Sequence, residues 1–184
     1  MRVIAGKYRN RTIRVNSHFR PTSDRVRETL FNILQNEIEV CTFVDAFAGS
    51  GGVGIEAISR GAAVVYFIEK NRKSVAILGE NLQKCCRDDS WRILSVDVFK
   101  GLRLIGESSS SVDLLFYDPP YDFDDYTGLL QLSVDLFPEA DHILETSKRV
   151  KVLVPPSVEL AKERNIGETL LSFYRATNTP NSLA

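Results

Sequence analysis

Phe43-Val44-Asp45-Ala46-Phe47-Ala48-Gly49-Ser50-Gly51-Gly52-Val53-Gly54 is the stretch that decides the fold. Its first half is apolar, and Thr42–Phe47 reads as a buried strand. Gly49 to Gly54 then matches G-x-G-x-x-G and opens a helix over Val53–Arg60. Strand, glycine-rich turn and helix in that order form the first unit of a doubly wound sheet. Such sheets take their ligands at the carboxyl ends of the strands.

Outward from this unit, strands and helices alternate. On the N-terminal side, Ser23–Ile38 reads as a helix with Val26, Leu30, Ile33, Leu34 and Ile38 on one face, capped by Thr22 or Ser23. Residues 2–15 alternate around Lys7-Tyr8-Arg9-Asn10-Arg11 and read as a short basic β-hairpin. On the C-terminal side follow a strand at Ala63–Glu69, a helix at Arg72–Cys86, a strand at Arg92–Val96 and a short helix at Val98–Leu104. Gly106–Ser111 is a serine-rich loop. Val112–Tyr117 is a strand, Asp124–Phe137 a helix and His142–Thr146 a strand. Residues 150–165 carry no clear period. Glu168–Tyr174 reads as a last strand and Thr177–Ala184 as a frayed tail. This βα alternation predicts an α/β fold with a mostly parallel sheet. One domain over 1–184 is expected, with the hairpin and helix in 1–40, the cofactor-binding catalytic core in 41–176 and the tail in 177–184.

Of the 184 residues 43% are hydrophobic, which supports a sizeable core and argues against disorder. No apolar run approaches the ~20 residues that span a bilayer, and the N-terminus is too polar for a secretory signal. Cys41, Cys85 and Cys86 form no disulfide framework. With His18 and His142 the only histidines, no metal site is expected. A cytoplasmic protein with no membrane contact follows, and a monomer is expected. The net charge of −1 hides an asymmetry: Arg2, Lys7, Arg9, Arg11, Arg14, Arg20, Arg25 and Arg27 face the single acid Asp24 within residues 1–27. This is either an electrostatic footprint for a polyanion or a solvated basic hairpin.

The glycine loop alone fits a dinucleotide, with Glu69 at the end of the next strand for ribose hydroxyls. Asp45 argues otherwise, because a carboxylate beside the loop repels a pyrophosphate at the helix N-terminus. S-adenosylmethionine (SAM) carries a sulfonium and an ammonium instead, and both favour a carboxylate. Asp97, just after the third strand, is placed to accept from an adenine amine. Singly, these acids have plainer readings: Asp45 or Asp97 as helix caps, Glu69 paired with Lys70 or Arg72. Together, Asp45, Glu69 and Asp97 mark three successive strand ends.

Asp118-Pro119-Pro120-Tyr121 ends the fourth strand of this series. The prolines stop the strand and stiffen the turn. A carboxylate and a proline carbonyl are both acceptors and suit the two donors of an NH2 group. Tyr121 can stack on a base, worth roughly 1–3 kcal/mol. The turn points to chemistry on the exocyclic amine of a nucleobase; the plainer readings are a turn-capping acid and a packing aromatic.

With both motifs placed, the chain resembles the RsmD family of bacterial 16S rRNA guanine-N2 methyltransferases over nearly its whole length. Arg2-Val3-Ile4-Ala5-Gly6-Lys7-Tyr8-Arg9 is similar to that family's opening hairpin. Arg20-Pro21-Thr22-Ser23-Asp24-Arg25-Val26-Arg27-Glu28-Thr29-Leu30-Phe31-Asn32 is similar to its most distinctive stretch. Asp45 to Gly51 resembles its SAM loop, Asp118 to Tyr121 its catalytic turn, and Lys162-Glu163-Arg164 through Gly167 to Phe173-Tyr174-Arg175 its last hairpin. The resemblance implies a Rossmann-like SAM-dependent methyltransferase: a seven-stranded, mostly parallel sheet with an antiparallel last strand. It implies methyl transfer to N2 of one guanine in 16S rRNA of the small ribosomal subunit. The residues expected to act are Asp118, Pro119 and Tyr121 in catalysis and Asp45, Phe47, Gly49, Gly51, Glu69 and Asp97 with the cofactor. Lys7, Arg9, Arg11 and Arg25 are expected on the RNA. A DNA amino-methyltransferase is the nearest rival, since that class also carries such a turn; a protein-amide methyltransferase, an NAD-dependent oxidoreductase and a non-enzymatic RNA-binding module are further alternatives.

Overall fold

The computed structural model describes residues 1–15, 22–108 and 111–177. His18, Arg20, Ser109, Ser110 and the tail beyond Thr177 lie outside them. Strands β1 (Thr42–Ala46), β2 (Val64–Ile68), β3 (Ser90–Leu94), β4 (Leu114–Tyr117), β5 (Asp141–Ser147), β6 (Val158–Ile166) and β7 (Thr169–Ala176) build one sheet in the order β3-β2-β1-β4-β5-β7-β6. All neighbours among β1 to β5 pair in parallel, and β7 runs antiparallel to both β5 and β6. The mostly parallel sheet with an antiparallel last strand is thus present. The chain builds outward from β1 to β3 and then returns to lay β4 on the other side of β1. The crevice between β1 and β4 is the topological switch point of the sheet.

Alternation along the central strands explains the two-sided core. Phe43 and Phe116 face one side, with Leu30, Phe31, Ile55, Ile58, Leu78 and Leu82 from α1 (Asp24–Ile33), α2 (Gly52–Ser59) and α3 (Arg72–Cys85). Val44, Ala46, Leu115 and Tyr117 face the other, with Leu102, Ile105, Leu129, Leu130 and Val134 from α4 (Val98–Ser108) and α5 (Tyr126–Leu136). Covered on both faces, β1 and β4 read as apolar runs with little alternation of polarity.

Three expectations change in detail. The first helix stops at Ile33 rather than Ile38, but Leu34 and Ile38 still reach the same core through a turn in which the Ile38 N–H donates to the Leu34 carbonyl at 2.9 Å. The helix after Asp97 runs to Ser108, longer than expected. The basic hairpin holds a single bridge, Arg2 to Thr12, and no regular strand. Its stability comes from α2. The buried Glu56 carboxylate accepts from the N–H groups of Ile4 (2.7 Å) and Ala5 (3.0 Å), and Ser59 takes Lys7 N–H on its carbonyl (2.7 Å) and Tyr8 N–H on its hydroxyl (2.9 Å). Gly6 is required there: its φ is +81°, and a Cβ would stand 1.8 Å from the Ser59 carbonyl oxygen. Arg27 is fully buried and ties α1 into the same knot, bonding the Gly52 and Arg2 carbonyls and pairing with Glu56 at 3.5 Å.

Candidate active site

Both sequence motifs meet at the switch point. Asp45 ends its strand beneath the glycine loop, with its Oδ2 accepting from Gly54 N–H at 2.8 Å. A carboxylate there complements the positive end of α2. Burial pushes its pKa up to about 7, the nearby Asp118 and Glu69 carboxylates add to the rise, and the Gly54 bond opposes it. Its Oδ1 makes no hydrogen bond among the described residues. Glu69 ties the loop to the end of β2, accepting from Gly49 N–H (2.8 Å) and Asn71 N–H (2.7 Å). Asp97 is exposed, and its Oδ1 caps α4 through Lys100 N–H at 3.0 Å. The capping readings of Asp45 and Asp97 are therefore part of the structure, and among the described residues each uses only one carboxylate oxygen.

The loop itself is shaped for close approach. A Cβ on Gly49 would meet nothing within 4 Å, so the backbone there borders open space. Gly51 takes φ +86°, and its Cβ would run 2.4 Å from Leu78 of α3. Phe47, with φ +135°, holds a conformation that side chains rarely adopt. The Phe47 ring meets Phe123 edge-on at 5.3 Å, and Phe123 in turn contacts Phe99 (6.4 Å) and Tyr126 (5.1 Å). These partly exposed rings form an aromatic wall along the cleft. Phe99, Phe123 and Tyr126 were not among the residues expected from the sequence. A signal existed: Phe99 follows Asp97 at the same spacing as Phe47 follows Asp45.

On the β4 side, Asp118 is half-buried. Its Oδ2 accepts the Thr22 hydroxyl at 2.7 Å. Burial pushes its pKa up to about 6 against that hydrogen bond. The Pro120 carbonyl closes the turn by accepting from Phe123 N–H at 2.9 Å, and the Pro119 carbonyl makes no bond among the described residues. Tyr121 is 88% exposed and has no ring partner among the described residues, which does not fit a packing aromatic. The base of the turn is firm. The buried Tyr117 hydroxyl lies 2.7 Å from Ser133 Oγ and 3.2 Å from His142 Nδ1, and His142 Nε2 donates to the Phe137 carbonyl at 3.1 Å. Burial lowers the His142 pKa to about 4, so the ring is neutral.

The basic residues divide. Lys7 pairs with Asp89 at 3.0 Å, and Arg11 donates to the Cys85 carbonyl at the end of α3 at 2.7 Å; both cations lie over the Tyr8 ring. Arg9 and Arg25 are exposed, and their side chains have no partner among the described residues.

A family model described as "Conserved hypothetical protein 95" matches residues 1–175. This chain belongs to the RsmD family. Among RsmD relatives, the Ribosomal RNA small subunit methyltransferase D of Haemophilus influenzae is 34% identical, over 95% of this chain and 93% of its own length. The protein of that name from Escherichia coli is 31% identical, over 95% of this chain and 89% of its own. A solved structure of a putative methyltransferase from Escherichia coli superposes with a TM-score of 0.80 at 29% identity, covering 96% of this chain and 97% of that one. The fold is thus that of SAM-dependent methyltransferases. Among the described residues no helix is long and apolar enough to cross a membrane, and no group of side chains is suited to a metal ion.

Proposed function

We propose that this protein transfers the methyl group of SAM to the exocyclic N2 amine of a guanine in 16S rRNA of the small ribosomal subunit, as a single-domain monomer in the cytoplasm. SAM-dependent methylation of rRNA is the activity that membership in the RsmD family supports, and the guanine N2 target refines it. The observation that carries the refinement is the pair of acceptors at the switch point. The Asp118 carboxylate and the unbonded Pro119 carbonyl stand beside the exposed Tyr121 ring.

The donor set fits SAM. Asp45 and Asp97 each keep one oxygen free at a strand end, Glu69 holds the Gly49 backbone, and the Phe47–Phe123 wall offers an apolar surface. Gly49 and Gly51 let the loop approach closely. Bound there, SAM supplies an electrophilic sulfonium methyl and leaves as the neutral thioether. The residues act on the nucleophile. An exocyclic amine is a poor one because its lone pair is conjugated into the ring. Asp118 and Pro119 would each accept one N–H, drawing the nitrogen towards tetrahedral geometry and freeing the lone pair. As the N–CH3 bond forms, positive charge grows on nitrogen and both acceptors stabilise it. One proton then leaves by way of Asp118. Tyr121 would stack on the base, which must be unpaired or flipped out to reach the turn. Arg9 and Arg25 would hold phosphates, while Lys7 and Arg11, engaged by Asp89 and the Cys85 carbonyl, would keep the segment that presents Arg9 in shape. An NAD-dependent reading is disfavoured by Asp45, whose carboxylate already occupies the first turn of α2.

The test is to incubate the protein with methyl-labelled SAM and unmethylated small subunits, beside naked rRNA and duplex DNA, then digest and identify the labelled nucleosides. Label in N2-methylguanosine from the subunits is expected. Label confined to DNA, or on a ring carbon, would refute the proposal.

A further inference from the structure

We propose that Thr22 is the positioning residue for Asp118: its hydroxyl holds the carboxylate by Oδ2 and so turns Oδ1 towards the incoming amine. The inference rests on the reading of Asp118 as the acceptor for that amine.

The contact bridges two parts of the chain that no local structure joins. Thr22 and Asp118 are 96 residues apart, and the hydroxyl–carboxylate distance is 2.7 Å. An ionised carboxylate only accepts, so the hydroxyl donates. Among the described residues it is the only hydrogen bond that the Asp118 side chain makes, and no Lys or Arg pairs with it. The groups facing it from neighbouring elements supply no counter-charge: Asp45 from β1 is itself an acid, and the Tyr126 phenol from α5 is kept protonated by burial and by the Asp118 charge. Burial works against the charge of Asp118. Without the hydroxyl, the carboxylate is free to rotate about its χ2 bond and is protonated more readily.

Thr22 is itself held in place. Ser23 caps α1 through Val26 N–H at 3.3 Å, and Arg27, one turn on, donates to the Gly52 carbonyl at the head of α2. The start of α1 therefore touches the turn after β4 and the helix that follows the glycine loop at once. Arg25 projects to solvent from that same turn of helix. RNA phosphates on Arg25 would bear on the residue that aims Asp118. Thr22 and Ser23 thus divide the work: Ser23 is the cap, and Thr22 is left for the acid.

The experiment compares Thr22→Val, Thr22→Ser and Asp118→Ala. The Asp118 carboxyl is titrated by NMR in the free protein, and kcat is followed against pH with small subunits. Thr22→Val removes the donor at nearly constant volume. It should raise the Asp118 titration midpoint and the acid limb of kcat together, by about one pH unit, and lower kcat near neutral pH roughly tenfold, with SAM affinity unchanged. Thr22→Ser should restore all three. Should the valine variant not fold, Thr22→Ala makes the same deletion without adding bulk. An unmoved midpoint and pH profile, with Asp118→Ala inactive, would overturn the role of Thr22 alone. An Asp118→Ala variant that keeps its turnover would overturn the catalytic reading, and this inference with it.

Discussion

The basic N-terminal segment and the turn after β4 are both rich in polar side chains, yet they use them in opposite ways. In the segment, Lys7, Arg11, Arg14 and Arg27 are all engaged by acceptors of the protein itself, and Arg27 is fully buried. In the turn, among the described residues, Asp118 has one hydrogen-bond partner, the Pro119 carbonyl has none, and Tyr121 stands in solvent. Charge density marks where a chain is anchored as readily as where it binds. Unoccupied hydrogen-bonding capacity at a strand end is the better guide to chemistry.

The largest effect that would break this comparison is on stability. Glu56→Ala leaves two backbone N–H groups without their acceptor and takes one of two carboxylates from the buried Arg27, which keeps Asp24, and should lower the unfolding free energy by about 3–5 kcal/mol in denaturant melts. A loss below 1 kcal/mol would mean that the segment is held elsewhere. Next comes Asp118→Ala, expected to cut turnover by roughly 10²–10³-fold while SAM still binds and the melting temperature holds. If SAM affinity fell by a similar factor, Asp118 would be a cofactor ligand. Third is pH. Burial pushes the Asp45 pKa up to about 7 in the free protein. A cationic ligand beside it favours the ionised form and lowers that pKa, so binding releases protons. SAM affinity should rise with pH up to about 7 and level off above, and calorimetry in two buffers should detect the protons. A flat profile would remove Asp45 from the cofactor site. The smallest effect is on salt dependence. Arg9→Ala with Arg25→Ala should reduce the slope of log K against log salt by about 0.7 per lost phosphate contact. Arg11→Ala should cost about 0.3–1 kcal/mol of stability through the end of α3 and leave the slope nearly unchanged.

Most of the sheet was legible because its central strands are buried on both faces and bounded by glycine or proline. Asp45, Glu69 and Asp118 were legible for the same reason: each stands where an apolar run stops. β6 was not, since its residues from Glu159 to Asn165 are exposed at the sheet edge and carry no apolar period. Arg27 and Glu56 were unreadable in another sense. The local Asp24, three residues earlier, pairs with Arg27 but does not by itself mark it as buried; what buries it are partners from α2 and from Arg2. The Thr22 bond depends on tertiary structure alone; in the sequence Thr22 competes with Ser23 for the cap, and only the fold decides between them.

β7 is the last strand in the chain but an interior one in the sheet, hydrogen-bonded to β5 on one side and β6 on the other. Its Leu171 and Phe173 enter the core shared with Phe116 and Ile143. A nascent chain therefore exposes the unpaired edges of β5 and β6, with a gap in that core, until residues 169–176 have emerged. Folding of the C-terminal half has to await the arrival of that strand. A product truncated before Thr169 would present two open sheet edges, the form that aggregation and proteolysis remove first.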